Sequence, residues 1–328
     1  REGGDYLRFT PPLNAQGDGE WFAALNAGKE SVTLDLKRPS HREALEALIA
    51  DADVLVESFR PGVMAKLGFG PDRLVNDYPR LVICSVSGYG QTGPMCKVPG
   101  HDLTYQAVSG ALSLGGRALG TPQVPGMLVA DVGGGALTAA MRICSALFSR
   151  ERTGRGCWID VSMTDCTLAL NAPYVAAADT TGANPKPGDA LLTGGSHRYQ
   201  IYECKDGRYV AFAPLEEKFW EAFCRAADVE PTLGGDELRV LFTRHTRDRW
   251  VEILRDTCCA PVLELDELSA FPQHIARGCV TRKDGVLRVS HPEPDGAVTA
   301  HLPSPRLGEH TAVALQRVGF DVNKLEDS

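Results

Sequence analysis

The feature that most constrains this chain is an alternation of two periodicities. Short runs of β-branched and other apolar residues are separated by stretches of helical spacing. Asp53 to Ser58 (DVLVES), Arg80 to Val86 (RLVICSV) and Trp158 to Val161 read as strands. Ser31 to Leu36 (SVTLDL) predicts a further one. Between them, a helix is expected to open at Ser40 as N-cap, with Glu43 three residues on as a capping box. Leu45, Leu48 and Ile49 give it an apolar stripe, and Leu137, Met141, Cys144 and Leu147 mark a second helix that ends at Thr153-Gly154. Strand, helix and strand in repetition imply a parallel sheet with helices on its faces, hence an α/β class.

The texture changes near residue 185. Asn184 to Gly195 is rich in Gly, Pro and Thr and reads as a linker. Arg198 to Cys204 and Arg208 to Phe212 then read as two strands joined by Lys205-Asp206-Gly207, where the Asp-Gly pair signals a hairpin. Lys218 to Ala227 and Arg247 to Asp256 are amphipathic, the second with Thr246 as N-cap. A Pro-rich passage, His291 to Pro305, precedes a last helix from Thr311. These signals predict a large domain over 1–185 with 285–328 and a small α+β domain over 186–284.

Composition narrows the function classes. With 43% apolar and 23% charged residues among 328, the chain can bury a full core, which excludes disordered and collagen-like classes. The formal charge of −8 argues against a sequence-independent nucleic-acid binder. It leaves room for an anionic ligand held by local cations, and Lys37, Arg38, Arg60 and Lys66 cluster near the first strands. No stretch approaches the ~18–20 uncharged apolar residues of a membrane span. The opening Arg1-Glu-Gly-Gly-Asp is neither a signal peptide nor an initiator Met, so a start further upstream is expected. The 10 cysteines form no CxxC or Cys/His ladder, which predicts reduced, mostly buried thiols in a cytosolic enzyme and no metal site.

Several motifs carry chemistry. Gly88-Tyr-Gly-Gln-Thr-Gly93 matches GxGxxG after a strand, but Pro94 and Pro99 oppose the helix that a dinucleotide site requires. What remains is a Gly-rich loop at the carboxyl end of a strand, where open α/β sheets bind ligands. Gly100-His101-Asp102 follows, and a His-Asp pair just past such a turn is a catalytic candidate, because histidine as a residue type suits acid/base work. Asp131 precedes Gly133, Gly134 and Gly135 and reads either as a helix N-cap or as a carboxylate facing a ligand. Glu216, just after a strand, reads as an acid in the first turn of a helix, a role Glu217 fits better.

Together these residues resemble the class III CoA-transferase family (CaiB/BaiF type), which includes the α-methylacyl-CoA racemases. The likeness runs through SVTLDLKRPS (31–40), ADVLVESFRPGVMAKLGFG (52–70), RLVICSVSGYGQTGP (80–94) and GHDLTYQAVSGALSLGG (100–116). It continues in VADVGGGALTAAM (129–141), RTGRGCWIDVSMTD (152–165), ECKDGRYVAFAPLEEKFW (203–220), APVLELDEL (260–268) and LGEHT (307–311). The resemblance implies a Rossmann-like large domain, a small domain and two chains interlocked as a homodimer. It implies acyl-CoA as substrate, with coenzyme A present only as part of that substrate and no tightly bound cofactor. The family opens with about one βα unit that this sequence does not contain.

In the transferases the aspartate matching Asp131 attacks the thioester carbonyl; in the racemases it is a base for the α-proton. His101, and Glu216 paired with it, match the racemases, so the resemblance is closest there, with CoA transfer between carboxylic acids through an Asp131 intermediate as the alternative. Charge developing on the thioester oxygen is expected to meet backbone N–H groups at the Gly133 to Gly135 turn. Positions matching the coenzyme contacts are Leu34, Lys37, Ser58, Phe59, Lys66 and Leu67, with Gly100, Asp102 and Tyr105 nearer the thioester. Lys66 stands where many members carry Arg, which keeps the charge but loses bidentate geometry.

Overall fold

In the computed structural model, residues 3–14, 17–118, 120–283, 286–289 and 303–326 are described. Most of the Pro-rich passage, at 291–302, lies outside them. The chain divides into two units: one of Arg1–Leu55, Met64–Leu81 and Glu264–Ser328, the other of Val56–Val63 and Val82–Leu263.

The site-bearing sheet has the order β1-β2-β3, with β1 at Val54–Glu57, β2 at Val82–Ser87 and β3 at Trp158–Ser162. β2 and β3 run parallel, Ile83 opposite Trp158 through to Ser87 opposite Ser162. Val82, Ile83, Cys84 and Ser85 are all buried, so the side chains on both faces of β2 are covered. That is why its sequence reads as a continuous apolar run rather than an alternation. The chain is thus of α/β class, as the sequence predicts.

A second sheet, β4-β5-β6, lies in the unit that holds β2 and β3, with β4 at Gln200–Glu203, β5 at Tyr209–Phe212 and β6 at Cys259–Pro261. β4 and β5 form the expected antiparallel hairpin, closed through Gly207 at φ 73°. The helix Glu217–Ala227 buries Trp220, Phe223 and Cys224, one stripe at helical spacing. These join Tyr202, Phe212, Leu238, Phe242, Trp250 and Leu254 in one cluster. Tyr202 stacks on Phe242 at 4.7 Å, and the indole N–H of Trp250 donates to the Phe242 carbonyl at 2.7 Å.

In the other unit, Ser31 to Leu36 forms no strand ladder. Its polar groups pair with the segment 308–311 instead. The Ser31 N–H donates to His310 Nδ1 at 3.2 Å, the Thr33 N–H donates to Thr311 Oγ1 at 3.0 Å, and the Gly308 N–H donates to Ser31 Oγ at 3.0 Å. β-propensity alone does not make a strand when side chains take the place of a neighbouring edge. The helix expected with Ser40 as N-cap is capped two residues earlier, at Arg38, and runs over Pro39–Asp51. Proline's fixed φ and missing N–H suit the first helical position, and this outcompetes the Ser40/Glu43 box. The last helix, Thr311–Arg317, starts where expected.

The helix Thr138–Thr153 turns Ala139, Ala146 and Arg150 inward. Three of the four residues that mark it in the sequence face the other way: Met141 is 62% exposed and Leu137 and Cys144 are exposed too, while Leu147 is half-buried; Phe148 beside it is also exposed. With the nine residues before it, it forms a continuous run, Val129–Thr153, of 25 residues that is long and apolar enough to cross a bilayer by length and composition alone. Asp131 and Arg142 lie within that run, which is why the sequence shows no uncharged apolar stretch of that length. Gly134 and Gly135 within it are buried, and they sit against the helix Met163–Leu170 of the sheet unit.

The aromatic cluster fixes the second sheet, so Phe242→Ala is expected to cost about 3–5 kcal/mol, read as a lowered denaturant midpoint. A loss below ~1 kcal/mol would mean the cluster is not the core of this region.

Candidate active site

β2 ends at Ser87, and the chain then turns through the Gly-rich loop. No helix follows at once; the next begins at Asp102. The loop is tied down by polar contacts. The Gly88 carbonyl accepts from the Thr164 N–H at 3.0 Å and hydroxyl at 2.8 Å, and the Gln91 N–H donates to Asp160 Oδ2 at 3.0 Å. Gly88 and Gly100 are required by close approach. A Cβ on Gly88 would come within 2.5 Å of Tyr105 Cζ, and one on Gly100 within 2.5 Å of Tyr105 Cε1. Tyr105 is buried between them and packs edge-on to Tyr89, ring centroids 5.1 Å apart. Burial chiefly, then the charge of Asp131, pushes its phenol pKa up.

His101 is the N-cap of the helix Asp102–Val108, with extended backbone at φ −138° and ψ 170°. Thr104, three residues on, fixes it: its hydroxyl accepts from the His101 N–H at 3.0 Å and donates to the His101 carbonyl at 2.8 Å. The imidazole itself is exposed.

Asp131 lies in the first turn of a π-helix, Val129–Leu137, which runs on into the helix Thr138–Thr153. A π-helical turn is rare and recurs at functional sites. The N-cap reading of Asp131 does not hold. The cap position is Leu128, no side chain at that position makes a capping bond, and Asp131 Oδ1 is buried without a hydrogen-bond partner. The capping is done by Asp102 instead. Its Oδ1 accepts from the Ala130 N–H at 2.8 Å and the Asp131 N–H at 2.9 Å, and its Oδ2 accepts from Gln106 Nε2 at 2.6 Å.

The electrostatics follow from this division. Burial first, then the Asp102 charge, raises the Asp131 pKa above the ordinary 3.8; the nearby His101 pulls it back in part. A carboxylate that accepts several N–H bonds is a weak base, whereas a buried one without donors holds a proton more readily. Asp131, with Oδ1 buried and unpartnered, is of the second kind.

The Gly133 to Gly135 segment is not a turn with open N–H groups. It lies inside the π-helix, and Gly134 and Gly135 are closed off by the helix Met163–Leu170: a Cβ on Gly134 would come within 2.8 Å of the Met163 carbonyl. That packing covers Gly134 and Gly135 and leaves Gly133 half-buried. Gly134 and Gly135 serve helix-to-helix approach.

Glu216 is exposed at the N-cap of the helix Glu217–Ala227, and its carboxylate makes no cap bond. Glu217 takes the first helical position and pairs with Arg198 at 2.8 Å. The groups that act on Asp131 are Asp102 and His101; Glu216 is not among them. Of the remaining positions, Ser58 and Phe59 are exposed, with the Phe59 N–H held by Glu57 Oε2 at 2.9 Å. In the other unit Leu34 and Leu67 are half-buried and Lys37 and Lys66 are exposed. The Asp102 carboxylate accepts three hydrogen bonds from protein donors. Sequence reasoning missed Thr104 and Gln106, although both carry a local signal, spaced three and four residues from His101 and Asp102.

Among the described residues no group of His, Cys, Asp and Glu is placed to hold a metal ion. Burial pushes the thiols of Cys84 and Cys204 up to about 11 and that of Cys259 to about 12. Thiols held that far above their usual range are poor nucleophiles.

Residues 1–311 match the family described as CoA-transferase family III. Over 326 residues the chain is 35% identical to the alpha-methylacyl-CoA racemase of Mus musculus, covering 94% of this chain and 85% of that protein. It is 32% identical to the acetyl-CoA:oxalate CoA-transferase of Acetobacter aceti, covering 88% of this chain and 78% of the other. A crystal structure of a CAIB/BAIF family protein from Brucella suis superposes with a TM-score of 0.83 at 27% identity, over 96% of this chain and 89% of that one.

A raised Asp131 pKa means that ionising this group opposes folding. The penalty is absent below the unfolded value near 3.8 and grows as pH rises through the higher folded value. Asp131→Asn is therefore expected to raise the thermal midpoint at pH 7, with the gain vanishing as pH falls toward 4. A midpoint at pH 7 equal to or below that of the unsubstituted protein would contradict the burial argument.

Proposed function

The chain belongs to CoA-transferase family III and is an enzyme of that family, and on that premise we propose that it racemises or epimerises the α-carbon of a 2-methylacyl-CoA type thioester by two-base proton transfer. The observation that carries this reading is the state of Asp131: a half-buried carboxylate with a buried oxygen that no protein donor satisfies and a pKa raised by burial. Such a group takes a proton from carbon better than an ordinary surface carboxylate, because catalytic efficiency rises as the base's pKa approaches the working pH. His101, close enough to act on Asp131 electrostatically, is the second acid/base that returns a proton to the opposite face. Glu216 is assigned the role of orienting the imidazole.

The coenzyme is proposed to contact Leu34, Lys37, Ser58, Phe59, Lys66 and Leu67, with Gly100, Asp102 and Tyr105 nearer the thioester. Coenzyme A enters as part of the substrate, and no metal or tightly bound cofactor takes part. The residues over 186–284 are proposed as a small domain; the aromatic cluster from Tyr202 to Leu254 lies wholly within that range and supports this. A homodimer is part of the same reading. The exposed stripe of Leu137, Met141, Cys144 and Phe148 is an apolar helix face that a second chain would cover. The proposed compartment is the cytoplasm.

The second reading is CoA transfer between carboxylic acids. It is favoured by the likeness to the Acetobacter aceti transferase and by the same unpartnered Asp131 oxygen, which is also free to attack a carbonyl. One experiment separates the two. Incubated with a 2-methylacyl-CoA in heavy water, the protein is expected to wash deuterium into Cα, and Asp131→Asn to lower that rate by about 10²–10⁴-fold. Absence of exchange, with CoA appearing on an added free acid and a covalent Asp131 adduct by mass, would replace the racemase with the transferase.

A further inference from the structure

Asp102 is buried, at 8% exposure, and it stands 29 residues from Asp131 in the chain. Its two oxygens accept three hydrogen bonds. Two come from the leading N–H groups of the Asp131-bearing turn and one comes from Gln106, itself buried. Those leading N–H groups are the donors that a carboxylate at position 131 would otherwise fold back to satisfy, since the first turn of a helix leaves its N–H groups without intrahelical partners. With Asp102 on them, Asp131 has nothing local to cap.

We propose that Asp102 is a positioning residue for the α-proton transfer, its buried carboxylate occupying the Ala130 and Asp131 N–H groups so that the Asp131 side chain is presented with an oxygen free of protein donors. The proposal rests on the reading of Asp131 as the proton-accepting base. It assigns to Asp102 a role in the chemistry that is separate from contact with the coenzyme. It also has an electrostatic side: the Asp102 charge raises the Asp131 pKa, second only to burial, and opposes the lowering by His101. The other titratable groups on elements packed against this turn are Tyr105 on Asp102–Val108, whose phenol is pushed up in part by the Asp131 charge, Cys84 on β2, Asp160 on β3, Asp165 and Cys166 on Met163–Leu170, and Arg142, Cys144, Arg150, Glu151 and Arg152 on the helix that follows; besides burial, Asp102 and His101 are the groups that shift Asp131 itself.

The amide and the alanine separate the two effects. Asp102→Asn keeps an oxygen to accept from the Ala130 and Asp131 N–H groups but removes the charge. Asp102→Ala removes both. The full chain is measured in three ways: hydrogen exchange at the Ala130 and Asp131 amides, NMR titration of the Asp131 carboxyl assigned by its loss in Asp131→Asn, and α-proton exchange from a 2-methylacyl-CoA across pH. In Asp102→Asn the two amides should stay protected and the Asp131 midpoint should fall. The acid limb of kcat/KM should move down with it, while KM stays within about twofold. In Asp102→Ala the two amides should exchange about tenfold faster or more, and kcat should drop about tenfold.

An Asp131 midpoint unmoved in Asp102→Asn would overturn the proposal, as would full amide protection in Asp102→Ala. Should Asp102→Ala fail to fold, Asp102→Asn decides alone. If the unsubstituted protein exchanges no α-proton, the racemase reading falls, whereas the titration and amide measurements still decide the role of Asp102.

Discussion

A carboxylate that accepts backbone N–H groups is a weaker base toward a reacting atom than one left without donors. The site divides these roles between two acids. Asp102 accepts the Ala130 and Asp131 N–H groups, and Asp131 is left with a buried oxygen that no donor reaches. Remove the first and the turn would draw on the second. The raised pKa of Asp131 comes from burial first and the Asp102 charge second, and the freedom of its oxygen from local donors goes with that one pair of hydrogen bonds.

The scaffold around it is built for close approach. Tyr105 fills the space beside Gly88 and Gly100, where any side chain would collide with its ring. Gly134 and Gly135 let the helix Met163–Leu170 sit against the π-helix. Asp160 and Thr164, on and just after β3, tie the Gly-rich loop to the end of the parallel sheet. The His101 backbone, fixed by Thr104, leads directly into Asp102, so the acid/base candidate and the positioning acid share one helix start. Functional groups supported on rigid elements by a satisfied surrounding shell keep their geometry.

Much of this was legible in the sequence, for local reasons. β2, β3, β4 and β5 announce themselves through β-branched and aromatic runs, and the Asp206-Gly207 pair fixes the hairpin. His101, Asp131 and Glu216 stood out by type and setting. The rest depends on partners distant in the chain. Ser31 to Leu36 has strand composition, but its N–H groups go to His310 and Thr311 side chains. The Leu137, Met141, Cys144 and Leu147 spacing marks a helix without saying which way it faces, and the first three face outward. Asp131 ahead of three glycines looks like a cap, and only Asp102 on another helix removes the need for one. Glycine runs read equally as ligand approaches or as helix contacts, and here the second holds for Gly134 and Gly135.

The most direct measurement is a crystal structure of the protein with a bound 2-methylacyl-CoA or an unreactive analogue. The account predicts the Asp131 carboxylate and the His101 imidazole on opposite faces of the α-carbon, each within about 3.5 Å of it, with Asp102 still holding the Ala130 and Asp131 N–H groups. An α-carbon out of reach of Asp131, or an Asp131 carboxylate satisfied by protein donors while Asp102 faces the ligand, would contradict it.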